Sequence, residues 1–501
     1  MTQQALPSAG TSLRELLAGD AQMIGSTDVR AAGCTSQARH VRPGDVFIAL
    51  TEADADGHDD ASEAARRGAA AIVCERPLPL FDVPQFVVTD SRKAYGRLCQ
   101  ALVGDPSQQL KVIGVAGSHG KTTVARLLTS IFREARTPAG TLDSFGYWDG
   151  CEDGPPPADG LSHPLLAKSL AEMAVAGASH AIVEIDSREL SRAILAGVTL
   201  DATCITHIGR RHLDWHGSVE NYRQAERRIV EHLASDAVVI LNADDPSSMR
   251  LLADLNQPAL TFGLRQPAEI TAQIIEQLVN EQTFILTAGD ESAGVRTEMI
   301  GDHHVYNCLA AAATCLAYGI ELTTIARGLE AVDHLPGRMQ RVMCGQEYAV
   351  FVDAAQSPDS LRACLKAARQ VTTGRLICVF GAPGEQESLE RPVLGRVAGS
   401  LADVPIVTSA WPGGVVPLSI LADIRRGFAA PDVARLIPNR TEAIAFALRA
   451  ARAGDTVVVA GLGDALCDAP DDDDTPTNDC EIIRSLLRSA AHSAPQYRQA
   501  A

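Results

Sequence analysis

The chain has 501 residues, room for about three domains of ordinary size and far too many for a small stapled scaffold. Its 44 Lys and Arg against 62 Asp and Glu leave a net charge of −18, which repels phosphate backbones and anionic lipids and argues against general nucleic-acid or membrane-surface binding. A hydrophobic content of 46%, no apolar run long enough to span a bilayer, and a start (Met1 to Ala5) lacking basic and apolar segments give the expectation of a soluble cytoplasmic protein without membrane insertion.

Short apolar runs alternate with helical patterns along the whole chain. The runs are Val46 to Ala49, Ala71 to Val73, Val112 to Val115, Ala181 to Val183, Val238 to Leu241, Leu376 to Phe380, Ile406 to Thr408 and Val457 to Ala460. Helical periodicity appears over Thr122 to Glu134, Tyr306 to Ala317, Leu361 to Gln370 and Glu442 to Ala451. Such alternation predicts an α/β protein with mainly parallel sheets, whose ligands sit at the carboxyl ends of strands. Turn-forming breaks at Gly104-Asp105-Pro106-Ser107 and Leu335-Pro336-Gly337-Arg338 divide it into three pieces, 1–109, 110–340 and 341–501. Twelve cysteines between Cys34 and Cys480, without a Cys-x-x-Cys pair, read as buried thiols rather than disulfides or zinc ligands. The acidic tract Ala469 to Pro476 reads as a solvated loop.

The strongest local signal is Ile113-Gly114-Val115-Ala116-Gly117-Ser118-His119-Gly120-Lys121-Thr122-Thr123, a strand passing through glycines into a helix. Glycines let backbone N–H groups approach phosphate oxygens, Lys121 supplies a cation, and a threonine hydroxyl can hold a nucleotide's magnesium. Val115 stands where the generic phosphate loop has glycine.

This loop resembles the Gly-x-x-Gly-x-x-Gly-Lys-Thr-Thr loop of the Mur ligases. Further stretches extend the resemblance in the same order: Arg42 to Ala49, Leu170 to Glu184, His212-Leu213-Asp214-Trp215-His216-Gly217, Leu241 to Pro246, Val305-Tyr306-Asn307, Leu335 to Met339 and Gly374 to Gly381. The match is greatest to the branch that adds the third amino acid, usually meso-diaminopimelate, to UDP-N-acetylmuramoyl-L-alanyl-D-glutamate. The resemblance implies a smaller N-terminal α/β domain for the UDP-substrate, a central phosphate-loop ATPase and a C-terminal Rossmann-like domain admitting the amino acid. It also implies ATP and Mg2+, an acyl phosphate, and an amine that attacks it. Partners would be a UDP-muramoyl-peptide-like substrate, an amino acid or other amine, and other cell-wall enzymes.

By this resemblance Gly117, Gly120 and Lys121 hold the nucleotide phosphates, with Thr122 or Thr123 on magnesium. Glu184 and His212 match metal-binding positions and, with Lys121, form the catalytic set. Asn307, Arg338 and Asp353 match positions that hold adenosine. Arg39 and Ser187 fall within substrate-binding strings, and Glu226 falls where the family carries a carbamylated lysine at the second magnesium. Glu226 either supplies carboxylate oxygens there or merely pairs with Arg223 at helical spacing.

Several family strings are altered. Asp-Asn-Pro-Arg becomes Ala410-Trp411-Pro412-Gly413 and Gly-Lys-Gly-His-Glu becomes Gly461-Leu462-Gly463-Asp464-Ala465, losing the charged groups that grip the acceptor. Asp-Tyr-Ala-His-Thr-Pro becomes Asp353 to Pro358, Glu-Val-Ser-Ser-His becomes Glu184-Ile185-Asp186-Ser187-Arg188, and Asp-Ser-Arg becomes Gln37-Ala38-Arg39. Three readings remain: an amide ligase of this family, with the usual or an altered acceptor; an impaired pseudo-ligase that binds nucleotide and serves as a scaffold; and, distantly, an unrelated phosphate-loop NTPase.

Overall fold

A computed structural model describes residues 10–493 apart from 26–27, 53–54, 158–159, 385, 387, 412, 431 and 466–477. The acidic tract and Pro412 therefore lie outside the described residues. Three large sheets take their strands from successive stretches of the chain, and helices cover them.

The central sheet has eleven strands. Its parallel body runs Ala139–Asp143, His180–Glu184, Lys111–Ala116, Leu200–Ile205, Leu233–Asn242 and Ala259–Gly263. Val112, Ile113, Val115, Ile182 and Val183 are all buried, because helices press on both faces. Lys121–Glu134, Asp302–Ala317 and Leu322–Glu330 pack on one face through Val124, Leu128, Ile131, Val305 and Leu329. On the other face lie Leu166, Leu170, Met173, Leu190 and Tyr222. From Lys111–Ala116 the chain builds outward to one side, then returns to pair Leu200–Ile205 on the other. That reversal opens a crevice at the strand's carboxyl end, where the glycine loop begins.

An antiparallel meander, Ile270–Gln277, Gln282–Ala288 and Glu291–Thr297, completes one edge of this sheet. The C-terminal sheet orders Gln340–Arg341, Ala349–Asp353, Thr456–Ala460, Leu376–Phe380, Val404–Val407 and Arg435–Leu436. Its first pair is antiparallel and the rest are parallel. A five-stranded sheet, Ala21–Ile24, Gln85–Val88, Ala71–Cys74, Asp45–Ile48 and Gly33–Thr35, forms the N-terminal unit. Its helix Ser91–Leu102 packs on the central unit's His163–Val175, so tightly that a Cβ at Gly96 would strike the Ala196 carbonyl and the His163 ring.

Both sequence breaks are structured junctions. Asp105 takes a left-handed φ of 49° before the turn Pro106–Gln108. Gly337, at φ 58°, lies against the backbone of Gly463 and Asp464 with no room for a Cβ, so this second break is a packed seam. All described cysteines are free thiols, most of them buried.

Candidate nucleotide site

The helix Lys121–Glu134 begins at Gly120, whose φ of 83° favours glycine and which offers no side-chain cap. The first-turn amides are thus unclaimed by any cap and suited to phosphate oxygens. Gly117, at φ 124°, sits so close to Thr206 and His207 that a Cβ would strike both. A Cβ on Gly120 would likewise strike the Asn307 amide, so the helix Asp302–Ala317 sets Asn307 directly against the loop. The loop is held from behind: Ser118 N–H donates to His207 O at 2.8 Å, Thr206 Oγ1 donates to His119 O at 2.5 Å, and Arg211 Nη1 donates to Ser118 O at 2.9 Å.

Lys121 is only 5% exposed. Its Nζ donates to Gly117 O at 2.9 Å and lies 3.5 Å from Asp186 Oδ2. Thr122 Oγ1 donates to Glu184 Oε1 at 3.1 Å, while Glu184 Oε2 accepts from Ser144 N–H at 3.0 Å. Of the two buried threonines, Thr122 rather than Thr123 meets the carboxylate. Two hard oxygens beside a phosphate loop fit magnesium, and Thr122 with Glu184 would hold it.

His212 is held at a left-handed φ of 52°, with Nε2 3.3 Å from Asp186 Oδ2. Burial lowers the His212 pKa and Asp186 opposes this. Burial by itself disfavours the ionised Asp186, but Lys121, His212 and Arg211 outweigh that and hold its pKa well below the usual carboxylate range. Asp186 caps the helix Ser187–Ser191 in a capping box with Glu189. Ser187 is buried and its hydroxyl meets His216 Nε2 at 3.0 Å.

Glu226, 1% exposed, accepts from Tyr222 OH at 2.5 Å through Oε1, and its Oε2 is buried without a hydrogen-bond partner. The chain of contacts continues from Tyr222 to Ser118 Oγ at 2.6 Å and from Ser118 Oγ to Gly209 N–H at 2.7 Å. Burial raises the Glu226 pKa to about 7 against the pull of Lys121 and Tyr222. The sequence alternative of a pair with Arg223 is not what forms: the helix turns Glu226 onto Tyr222, four residues back, and Arg223 Nε is buried unbonded.

Arg338 and Asp353 meet at the seam with the C-terminal sheet. Asp353 Oδ2 accepts from Met339 N–H at 2.8 Å, and the Arg338 guanidinium lies 5.4 Å from the Phe145 ring centroid. Burial raises the Asp353 pKa, with His303, the Met339 amide and Arg338 opposing. His119 reaches across from the loop, its Nε2 3.4 Å from Ser357 Oγ. Arg39 stands apart, on the N-terminal turn Ala38–His40, where it is exposed and bonds Gln37 Oε1 at 3.0 and 3.2 Å. Sequence reasoning did not single out Asp186, Ser118 or Tyr222 as site residues. An aspartate two residues beyond Glu184 was the one readable hint, since the hydroxyl contacts exist only after folding.

At the carboxyl end of the C-terminal sheet the altered acceptor strings are in place. Trp411 is 44% exposed and its carbonyl accepts from Gly384 N–H at 2.7 Å. The guanidinium of Arg440 beside them is consumed by a buried two-pronged pair with Asp479, both bonds 2.7 Å, and by Ser409 O and Ala460 O. Arg391 is likewise bound, to Asp423 at 3.0 Å and Gly384 O at 2.9 Å.

Residues 115–315 match the Mur ligase middle domain and residues 337–463 the Mur ligase glutamate ligase domain. The chain is 34% identical over 471 residues to the UDP-N-acetylmuramoyl-L-alanyl-D-glutamate–2,6-diaminopimelate ligase of Geobacillus thermodenitrificans, covering 93% of this chain and 96% of that one. A solved structure of a ligase with that same name superposes with a TM-score of 0.69 at 25% identity, over 97% of this chain and 100% of the other. A MurF ligase from Thermotoga maritima, in complex with ADP, shares the fold at a TM-score of 0.63 and 18% identity, over 91% of this chain and 98% of that one. With two family domains in sequence and a relative matched almost end to end, this chain belongs to the Mur ligase family.

Proposed function

We propose that the chain is an ATP-dependent amide ligase of peptidoglycan precursor synthesis that joins a UDP-muramoyl-peptide-like carboxylate to an amine other than meso-diaminopimelate. The observation that carries this reading is the Thr122–Glu184 contact of 3.1 Å beside the buried Lys121, at the mouth of an uncapped, glycine-led helix. Phosphoryl transfer asks chiefly for positioning and charge neutralisation, which these groups supply.

In this reading a substrate carboxylate oxygen attacks the γ-phosphorus of ATP and ADP leaves. The amine then attacks the carbonyl carbon of the acyl phosphate, inorganic phosphate leaves, and the amine loses a proton. Lys121 and the first-turn amides orient the nucleotide. Thr122, Glu184 and His212 would hold magnesium, which when bound neutralises phosphate charge. Asn307, Arg338 and Asp353 line the adenosine side. Residues 1–109, with Arg39, would receive the UDP-substrate, 110–340 the nucleotide, and 341–501 the amine, in a cytoplasmic reaction.

The amine differs because Gly413 and Ala465 offer no charge to a second carboxylate, and the neighbouring Arg440 and Arg391 are already paired. Phosphate release in the presence of UDP-muramoyl dipeptide, across a panel of amino acids and amines, tests the proposal. Release stimulated by one amine, with that amine in the product, supports it. A second reading, nucleotide binding without turnover, is favoured by Glu226 spending one oxygen on Tyr222, and it predicts ATP binding with no amine-stimulated release.

A further inference from the structure

The loop lysine does not wait for phosphate as an open charge. Its Nζ is pinned between Gly117 O and Asp186 Oδ2, in a setting where Lys121 is 5% exposed. Asp186 is anchored on all sides: its Oδ1 accepts from Arg188 N–H at 3.1 Å and Arg188 Nε at 3.3 Å, and its Oδ2 faces His212. Its own N–H donates to Glu189 Oε2 at 2.6 Å, and Glu189 Oε1 accepts from Leu161 N–H at 2.8 Å, which fixes the backbone that carries the carboxylate. A buried ammonium with a fixed counter-ion is already neutralised, and an incoming phosphate must draw the lysine from that ion and then sit near its charge.

Resting on the nucleotide-binding reading above, we propose that Asp186 is a positioning residue that acts through Lys121, a built-in counter-ion that competes with nucleotide phosphate for the lysine and so sets nucleotide affinity. Two effects add. Lys121 gives up an ionic partner when it turns to phosphate, and the freed carboxylate repels the phosphates that took its place. The same carboxylate keeps the buried lysine folded into the loop when no nucleotide is there. Through Glu189 this counter-ion is tied to the Gly160-Leu161-Ser162 loop, which places the counter-ion within reach of whatever moves that loop.

The test uses the full chain and ADP without divalent metal, measured by calorimetry. Asp186→Asn keeps the shape and the helix cap and removes the charge; Asp186→Ser is a second variant that also caps. Both should bind ADP about tenfold more tightly than the parent, equivalent to about 1.4 kcal/mol. The gain should shrink to less than about twofold when Lys121→Met is present in both chains, because the competition runs through that ammonium. Unchanged or weaker binding in both Asp186 variants overturns the inference alone. An equal gain with and without Lys121 also overturns it, since that is long-range repulsion without competition. Absence of ADP binding by parent and variants alike overturns both this inference and the nucleotide reading beneath it. Thermal melting of each variant, unchanged within a few degrees, shows that the affinities compare folded chains.

Discussion

At the carboxyl end of the central sheet, Lys121, Thr122, Glu184, Asp186 and His212 converge on one glycine loop. At the same end of the C-terminal sheet, Arg440 and Arg391 are turned inward onto Asp479 and Asp423, and the exposed described positions include Trp411, Gly413 and Gly414. Both ends come from parallel sheets and both would receive a ligand. The difference is in where charge is spent: in the central unit it faces a crevice, and in the C-terminal unit it holds the fold. The proposal of a highly charged nucleotide at the first end and a less charged amine at the second rests on that contrast.

The contrast is sharpest where a charge is purely structural. Arg440→Ala leaves the buried Asp479 carboxylate unpaired, and breaking such a pair costs about 3 to 5 kcal/mol. Urea denaturation should show a loss of that size, while ADP binding at the central loop persists under folding conditions. A small loss, with a changed preference among amines, would make Arg440 an acceptor residue and erase the distinction.

Glu226 provides the next test, through pH. Its pKa rises from 4.5 to about 7 on folding, chiefly by burial, so the native chain keeps a proton there that the unfolded chain gives up. The associated stability is fully present below pH 4.5 and is lost as pH rises through 7, up to about 3 kcal/mol. Glu226→Gln should therefore be the more stable chain at pH 8 in metal-free buffer, and its advantage should vanish near pH 4.5. A pH-independent difference would show that burial of the charge is not the cause.

The smallest of the three expected effects is at the lysine. Lys121→Ala removes charge-assisted bonds to phosphate worth roughly 1.5 to 3 kcal/mol, a loss visible as weaker Mg-ATP binding by calorimetry. Equal affinity in mutant and parent would place the nucleotide elsewhere.

Much of the parallel framework was legible in the sequence because buried parallel strands are nearly continuous apolar runs. Leu376 to Phe380 and Val457 to Ala460 fall on Leu376–Phe380 and Thr456–Ala460, and the helix from Thr122 begins one residue earlier at Lys121. The meander from 270 to 297 was not read, for a physical reason: Gln273 and Glu276 lie on a strand that buries only Ile270, Ser292 and Arg296 lie on the strand of Val295, and the apolar run Phe284-Ile285-Leu286 between them is short. The loop residues were legible because phosphate chemistry fixes glycine, lysine and threonine at close sequence spacing. Asp186, Ser118 and Tyr222 were not, because their contacts join segments up to 104 residues apart. Arg39, read on a substrate string of the N-terminal piece, stands on the turn Ala38–His40 of that unit.

We propose that nucleotide chemistry is retained here while diaminopimelate recognition is not. The most direct measurement is product analysis with ATP, magnesium and UDP-muramoyl dipeptide, offering meso-diaminopimelate alongside uncharged-side-chain amino acids and simple amines. Phosphate release coupled to amide formation with an amine that lacks a second charged terminus, and little product from meso-diaminopimelate, is the predicted result. Rapid conversion of meso-diaminopimelate to tripeptide, in preference to every other amine, would contradict it.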